Sequence, residues 1–144
     1  MKKYALIWLV ALMTTTYAQD GGHHARPTDE EIIAHLQRQT PQNKTPAPEW
    51  VTDGVYSGVN AQSLIIKSVV KDGFFEQYMD IYYPHHQLMS HTPLVDGIPH
   101  GWSEHHRPSG TKMRRILYHH GKIIKVEHFD DKGNLNQTLY APEP

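Results

Sequence analysis

The chain has 144 residues, a formal net charge of −1 and no cysteine. This length is enough for one small domain and too short for two domains of ordinary size. A slightly acidic balance argues against nucleic acid as a partner. Since cysteine is absent, we expect neither disulfides nor a lipid anchor on an N-terminal cysteine.

Residues 1–18 have the pattern of a secretory signal peptide. Two lysines precede the apolar run 4–13, which is too short to span a bilayer of about 30 Å. Thr16 and Ala18 are small residues at the positions that a signal peptidase reads. We therefore expect cleavage after Ala18 and a periplasmic protein with no membrane anchor after cleavage. The alternative is a buried N-terminal helix.

The stretch 19–49 is predicted to hold a short helix and a linker. Thr28 is followed three residues later by Glu31, which is a capping-box signature. The apolar side chains that follow form a narrow stripe: Ile32, Ile33 and Leu36. We predict a helix from about Asp29 to Gln39, too short to be stable alone. The proline-rich "PQNKTPAPEW" then reads as a linker.

The stretch 50–140 is predicted to be an antiparallel β domain. The segments "SLIIKSVV", "FEQYMDIYY", "KMRRILYHH" and "KIIKVEHF" are rich in β-branched and aromatic residues. Turn signals such as "VKDG", "RPSG" and "DDKGN" separate them. Because no long helical stripe interrupts this series, we predict a mainly β fold.

A repeat is visible in the β domain. Gly73, Gly97 and Gly121 lie 24 residues apart, and Tyr78 and Trp102 keep the same spacing. Each unit is long enough for two strands and two turns. The glycines suit turn positions with positive φ, where other residues meet a steric penalty. The alternative is a coincidence of glycines in a turn-rich chain.

The segment "LVDGIPHGWSEHHRPSGTKMRRILYHHGKI" resembles the MORN-like repeats of YwqK-type antitoxin proteins. Those repeats run Gly-x-x-x-Gly-x-Trp, a tyrosine pair, a glycine turn, a strand and the next Gly-Lys. The positions of this sequence that carry the resemblance are Gly97, Gly101, Trp102, Gly110, Gly121 and Lys122. The upstream unit keeps the tyrosine pair as Tyr82 and Tyr83. The resemblance covers about residues 69–135.

Histidines replace several of the residues typical of the family. His105 and His106 stand at the tyrosine positions, and His85–His86 replaces the usual Asn-Gly turn. The resemblance implies repeated antiparallel β-hairpins in an elongated meander sheet. It also implies that the protein neutralises a toxin by binding it.

The twelve histidines raise the alternative of a periplasmic metal-binding or stress-related protein. Zinc and copper favour imidazole ligands, and the candidate ligands are His85, His86, His105 and His106. However, neighbouring residues on a strand point to opposite faces, so a pair cannot chelate from one face. No His-Glu-x-x-His motif is present, and no cysteine assists. We therefore predict a structural repeat first, without a cofactor, and a metal site second.

The sequence contains no nucleophile elbow, P-loop or dinucleotide fingerprint, so we do not expect an enzyme. A protein partner is the expected ligand, in the manner of an immunity protein facing a toxin. Aromatic residues and arginine anchor many interfaces. The predicted contact residues are Tyr78, Tyr82, Trp102, His105, His106 and Arg107. Core packing is the alternative for Tyr78 and Trp102.

Overall fold

The computed structural model describes residues 25–143. The fold is mainly β, as predicted, with one short helix followed by a nine-strand antiparallel meander that stays open and uncurled. The helix, α1, is Asp29–Gln39. The strands are β1 Gly54–Val59, β2 Ile65–Lys71, β3 Phe74–Tyr82, β4 Leu88–Val95, β5 Ile98–Pro99, β6 Gly101–His106, β7 Lys112–His119, β8 Lys122–Phe129 and β9 Leu135–Tyr140.

Helix α1 begins where the sequence predicts. The Thr28 hydroxyl accepts a hydrogen bond from the Glu31 amide at 3.2 Å, and the Thr28 amide donates to Glu31 Oε2 at 2.8 Å. These two bonds satisfy amides that lack partners within the helix. Ile33 and Leu36 are buried against the sheet. This packing stabilises a helix of only 11 residues, which would be marginal alone.

Two-residue turns close the sheet at one end. They are Asp72–Gly73, Asp96–Gly97 and His120–Gly121, and both residues of each turn have positive φ. For the glycines φ is 81°, 73° and 81°. Positive φ at both central positions is the type I′ geometry, which matches the twist of the flanking strands. The prediction that the three glycines occupy equivalent turns is confirmed.

Four-residue turns close the opposite end. They are Asn60–Ser63, Tyr83–His86, Arg107–Gly110 and Asp130–Gly133. In each turn the last amide donates to the first carbonyl, at 2.8 to 3.0 Å, and the last residue has positive φ. Four-residue and two-residue turns thus alternate along the chain. One repeat unit contains one turn of each type and two strands.

The strands pair in chain order, with β5 as a short extension paired to β4. Apolar side chains on one face of the sheet form two clusters. One lies on β7, β8 and β9 beneath α1 and includes Ile116, Val126 and Leu139. The other lies on β2, β3 and β4 and includes Phe75 and Met79. We call this the covered face and the opposite side the open face.

The proline-rich segment that was predicted as a linker is packed against the sheet. The Ala47 amide donates to the Gly73 carbonyl and the Phe75 amide donates to the Thr45 carbonyl, both at 2.9 Å. Thr45 and Ala47 are buried. The reason lies in β3, because its pairing with β4 starts only at Tyr78. The first residues of β3 therefore have a free edge, and the segment fills it.

The predicted signal peptide, residues 1–18, lies outside the described residues. Within residues 25–143, no helix combines the length and apolar character needed to cross a membrane.

Candidate partner-binding face

A row of charged side chains crosses the open face. Residues directly opposite each other in an antiparallel pair project to the same side. The register places six such residues next to one another, from β2 to β8: Lys67, Asp80, His91, Glu104, Arg115 and Glu127. Cationic or titratable nitrogen groups thus alternate with carboxylates along the whole row.

Each carboxylate in this row contacts a basic side chain. The Asp80 carboxylate contacts His91 Nδ1. Arg115 Nη2 donates to Glu127 Oε1 at 2.7 Å, and Lys112 Nζ lies 3.2 Å from Glu104 Oε1. The Lys112–Glu104 pair is half-exposed and contributes little stability, whereas the Glu127 carboxylate is buried.

Aromatic rings lie beside this row and contact cations of the open face. The Arg115 guanidinium lies 4.0 Å from the Trp102 ring centroid. Lys125 Nζ lies 5.9 Å from the Trp102 centroid and 5.4 Å from that of Tyr140. A cation over an aromatic face is attracted by the ring quadrupole. These contacts hold the Trp102 and Tyr140 rings beside cations on the open face.

Three of the six predicted contact residues belong to the open face. Tyr78 and Tyr82 share a side of β3 with Asp80, since alternate residues of a strand point the same way. Trp102 shares a side of β6 with Glu104. All three are half-exposed. The Tyr78 ring also stacks on His91, with centroids 6.4 Å apart.

His105 was predicted as a contact residue, and this prediction is wrong. Its side chain is on the covered face and only 1% exposed. His105 Nε2 and Ser103 Oγ are hydrogen-bonded at 3.0 Å, and Ser103 Oγ continues to Thr92 Oγ1 at 2.7 Å. Burial, together with Arg114 and His106, lowers the His105 pKa to about 3. His105 is therefore a neutral, interior side chain.

Arg107 was also predicted as a contact residue, but the structure uses it within the fold. Its Nη1 donates to the carbonyls of Lys112 and Asp130 at 2.9 and 3.0 Å, and its Nη2 donates to that of Phe129 at 2.9 Å. The planar guanidinium joins two neighbouring turns at the same end of the sheet. These bonds occupy three of the five N–H donors of the guanidinium and hold the side chain against the turns.

His106 is half-buried at a β-bulge, where the pairing of β6 with β7 shifts by one residue. Its carbonyl accepts a hydrogen bond from the Tyr83 hydroxyl at 2.8 Å. Burial lowers the pKa of its imidazole, a shift that Glu104 opposes and Lys112 reinforces. The bulge separates His106 from the alternation that orients the rest of β6.

The alternative metal ligands do not come together. His105 is buried, while His85 sits in the β3–β4 turn with Nε2 donating to the Pro108 carbonyl at 2.9 Å. Among residues 25–143, a different set forms the cluster with ligand atoms in mutual reach: His100, His119 and His120.

Sequence reasoning missed the cations of the open face and the position of His100. The face cations Arg115 and Lys125 follow from cross-strand register, which places them near Trp102. The same register pairs Gly101 with Tyr118 and so brings His100 toward His119. The 24-residue repeat could have predicted these neighbours, because equivalent turns determine which residues of adjacent strands are paired.

Comparisons with protein-family models, curated proteins and solved structures found no match for this chain. The resemblance to YwqK-type repeats therefore depends on the residues quoted above.

Proposed function

We propose that this chain is an exported binding protein of the immunity or antitoxin type, which neutralises a toxin by direct contact through its open face. One observation carries the proposal. On the open face, Tyr140 is 67% exposed and Tyr78, Tyr82 and Trp102 are half-exposed, so four aromatic rings are accessible to a partner. The YwqK-type resemblance adds the toxin as the class of partner.

The chemistry of the open face suits a protein partner. Aromatic rings offer large contact areas at low cost in side-chain entropy, and they are enriched in interface anchors. The strands hold these rings in place, so little order has to be gained on binding. The slightly acidic chain favours a basic toxin, chiefly by steering the encounter.

The test is a competition between sibling cells. We expect cells that lack this gene to be killed by toxin-bearing siblings, and the exported wild-type protein to protect them. A Tyr78→Ser/Tyr140→Ser variant is expected to lose protection. The matched control is Trp50→Ser, which removes an aromatic side chain that is 84% exposed and lies before β1, outside the strands of the sheet.

Both variants are first compared with the wild type by thermal unfolding, so that a loss of protection is not a loss of folding. If the double variant protects as well as the wild type, the proposal that the open face binds the toxin is contradicted. A form lacking residues 1–18 is expected to give no protection, and protection by that form would contradict the periplasmic site of action. The intact mass of protein from a periplasmic extract checks cleavage after Ala18.

A further inference from the structure

We propose that His100, His119 and His120 form a binding site for a divalent transition-metal cation such as Zn²⁺, Cu²⁺ or Ni²⁺. We call this set the histidine triad. Each imidazole offers a ring nitrogen, and these nitrogens all lie within 4.8 Å of one another. The ring centroids are 4.5 to 5.1 Å apart. The triad shares no residue with the aromatic residues proposed to contact a partner, and the inference does not depend on the proposed function.

The fold brings the triad together from two places in the chain. His119 ends β7 and His120 begins the two-residue turn to β8, while His100 lies between β5 and β6. The His120 amide donates to His100 Nδ1 at 3.0 Å, and the Gly121 amide donates to the Pro99 carbonyl at 2.7 Å. The triad is thus a tertiary feature.

The turn that carries the triad is also anchored to the N-terminal segment. The Gly121 carbonyl accepts hydrogen bonds from Gln37 Nε2 and Gln42 Nε2, both at 2.9 Å. Gln37 Oε1 accepts from the Ile123 amide at 2.8 Å. These bonds hold the backbone of the turn in place. A metal would therefore meet a site whose backbone is already organised.

The donor set selects the class of metal. Three imidazoles with no carboxylate suit zinc, copper and nickel, whereas magnesium and calcium require oxygen ligands. Zinc–nitrogen bonds are about 2.0–2.1 Å long, so the ring nitrogens must approach one another on binding. His119 and His120 are exposed and have room to rotate, while His100 is half-buried. Three ligands leave a fourth position for water.

Metal binding has a specific consequence at His100. Because its Nδ1 accepts the His120 amide, the proton of the neutral ring lies on Nε2. A metal ligand needs an unprotonated ring nitrogen. Binding must therefore either displace the amide from Nδ1 or move the ring proton and turn the imidazole. Either change alters the surroundings of the His120 amide, so the NMR resonance of that amide is expected to report metal binding.

The test is titration of the untagged full chain with ZnCl₂, followed by calorimetry and by the amide resonance of His120. All samples carry His23→Ala and His24→Ala, which remove a separate histidine pair from the background. We expect one saturable zinc site and a shift of the His120 resonance. His119→Gln is expected to weaken binding about tenfold or more, and His119→Gln/His120→Asn to abolish the saturable site. Asn at position 120 suits the positive φ of 46°.

The matched control is His85→Gln/His86→Gln, which removes an adjacent histidine pair from a turn at the opposite end of the sheet and is expected to bind zinc as the parent does. Unfolding without metal checks that the variants are folded. Equal zinc affinity in the parent and in His119→Gln/His120→Asn would overturn the proposal, as would binding by the parent that does not saturate.

Discussion

Arg115 joins Trp102 and Glu127 on the open face. Its guanidinium lies 4.0 Å from the Trp102 ring centroid and donates to Glu127 Oε1 at 2.7 Å. The Arg115 side chain is 32% exposed, whereas that of Glu127 is only 7% exposed. The carboxylate therefore depends on this arginine for its compensating charge.

The first prediction concerns this pair. Arg115→Met keeps an unbranched stem against Trp102 but leaves the Glu127 carboxylate without its cation. We expect a loss of about 2 kcal/mol in the free energy of unfolding, measured by urea titration, because a charged group is left desolvated without a partner. Arg115→Met/Glu127→Leu is expected to recover most of the loss. If the single and double variants are equally destabilised, charge pairing is not the cause.

The second prediction compares two turn glycines. Gly73 and Gly97 both have positive φ, so alanine is strained at either position. A Cβ at Gly73 meets nothing within 4 Å, but one at Gly97 lies 3.0 Å from the Phe75 carbonyl oxygen. We expect Gly73→Ala to cost about 1 kcal/mol and Gly97→Ala to cost more.

Thermal unfolding of the two variants side by side gives the comparison. Equal costs would mean that φ alone sets the penalty and that the close carbonyl relaxes freely.

The third prediction uses the repeat itself. Gly101 has φ 95° and lies four residues after Gly97, while Gln77, with φ 70°, lies four residues after Gly73. Because Gln77 is exposed, its side chain gives little packing in return for this strain. We expect Gln77→Gly to raise stability by up to about 1 kcal/mol, reduced by the greater flexibility of glycine in the unfolded chain.

The reciprocal change is the control, since Gly101→Gln places a side chain at the equivalent position. It is expected to lower the midpoint of urea unfolding. A decrease on Gln77→Gly would show that the glutamine side chain supplies more than the backbone strain removes.

The sequence predicts helix α1 and the turn glycines well because their signals are local. The bond between Thr28 and Glu31 spans three residues, and a type I′ turn needs only its own two residues. The proline-rich segment was misjudged because its partner is remote. Whether Thr45 pairs with Phe75 depends on where β4 leaves β3, and no local pattern contains that information.

His105 was misplaced for a different reason. Strand β6 does alternate, with Trp102 and Glu104 on one side and Ser103 and His105 on the other. A large aromatic ring ordinarily marks the buried side. Here the ring lies on the open face beside Arg115, while small and polar side chains are interior. Trp102 and His105 are three residues apart on one strand, so alternation places them on opposite sides, and predicting both as contact residues ignored that alternation.

The last prediction concerns the pH dependence of stability. His105 has a pKa of about 3 in the folded protein, and burial is the largest cause. In an unfolded chain a histidine titrates at about 6.5. Below that pH the unfolded chain binds a proton at this histidine, whereas the folded protein does not. The contribution of His105 to the free energy of unfolding is therefore complete above about pH 6.5 and is lost as the pH falls from about 6.5 to 3. His128, whose pKa burial and Arg114 lower to about 4, acts in the same direction.

The measurement is the free energy of unfolding between about pH 6.5 and 5, where most carboxylates remain ionised. One such histidine contributes a slope that approaches about 1.4 kcal/mol per pH unit. His105→Gln keeps an amide to hydrogen-bond Ser103 but removes the titration of this side chain, so it is expected to reduce the slope and to leave the part that His128 contributes. His85→Gln, at an exposed turn, is expected to keep it. Histidine NMR resonances of the folded wild type give an independent check, and protonation of His105 above pH 5 would contradict the prediction.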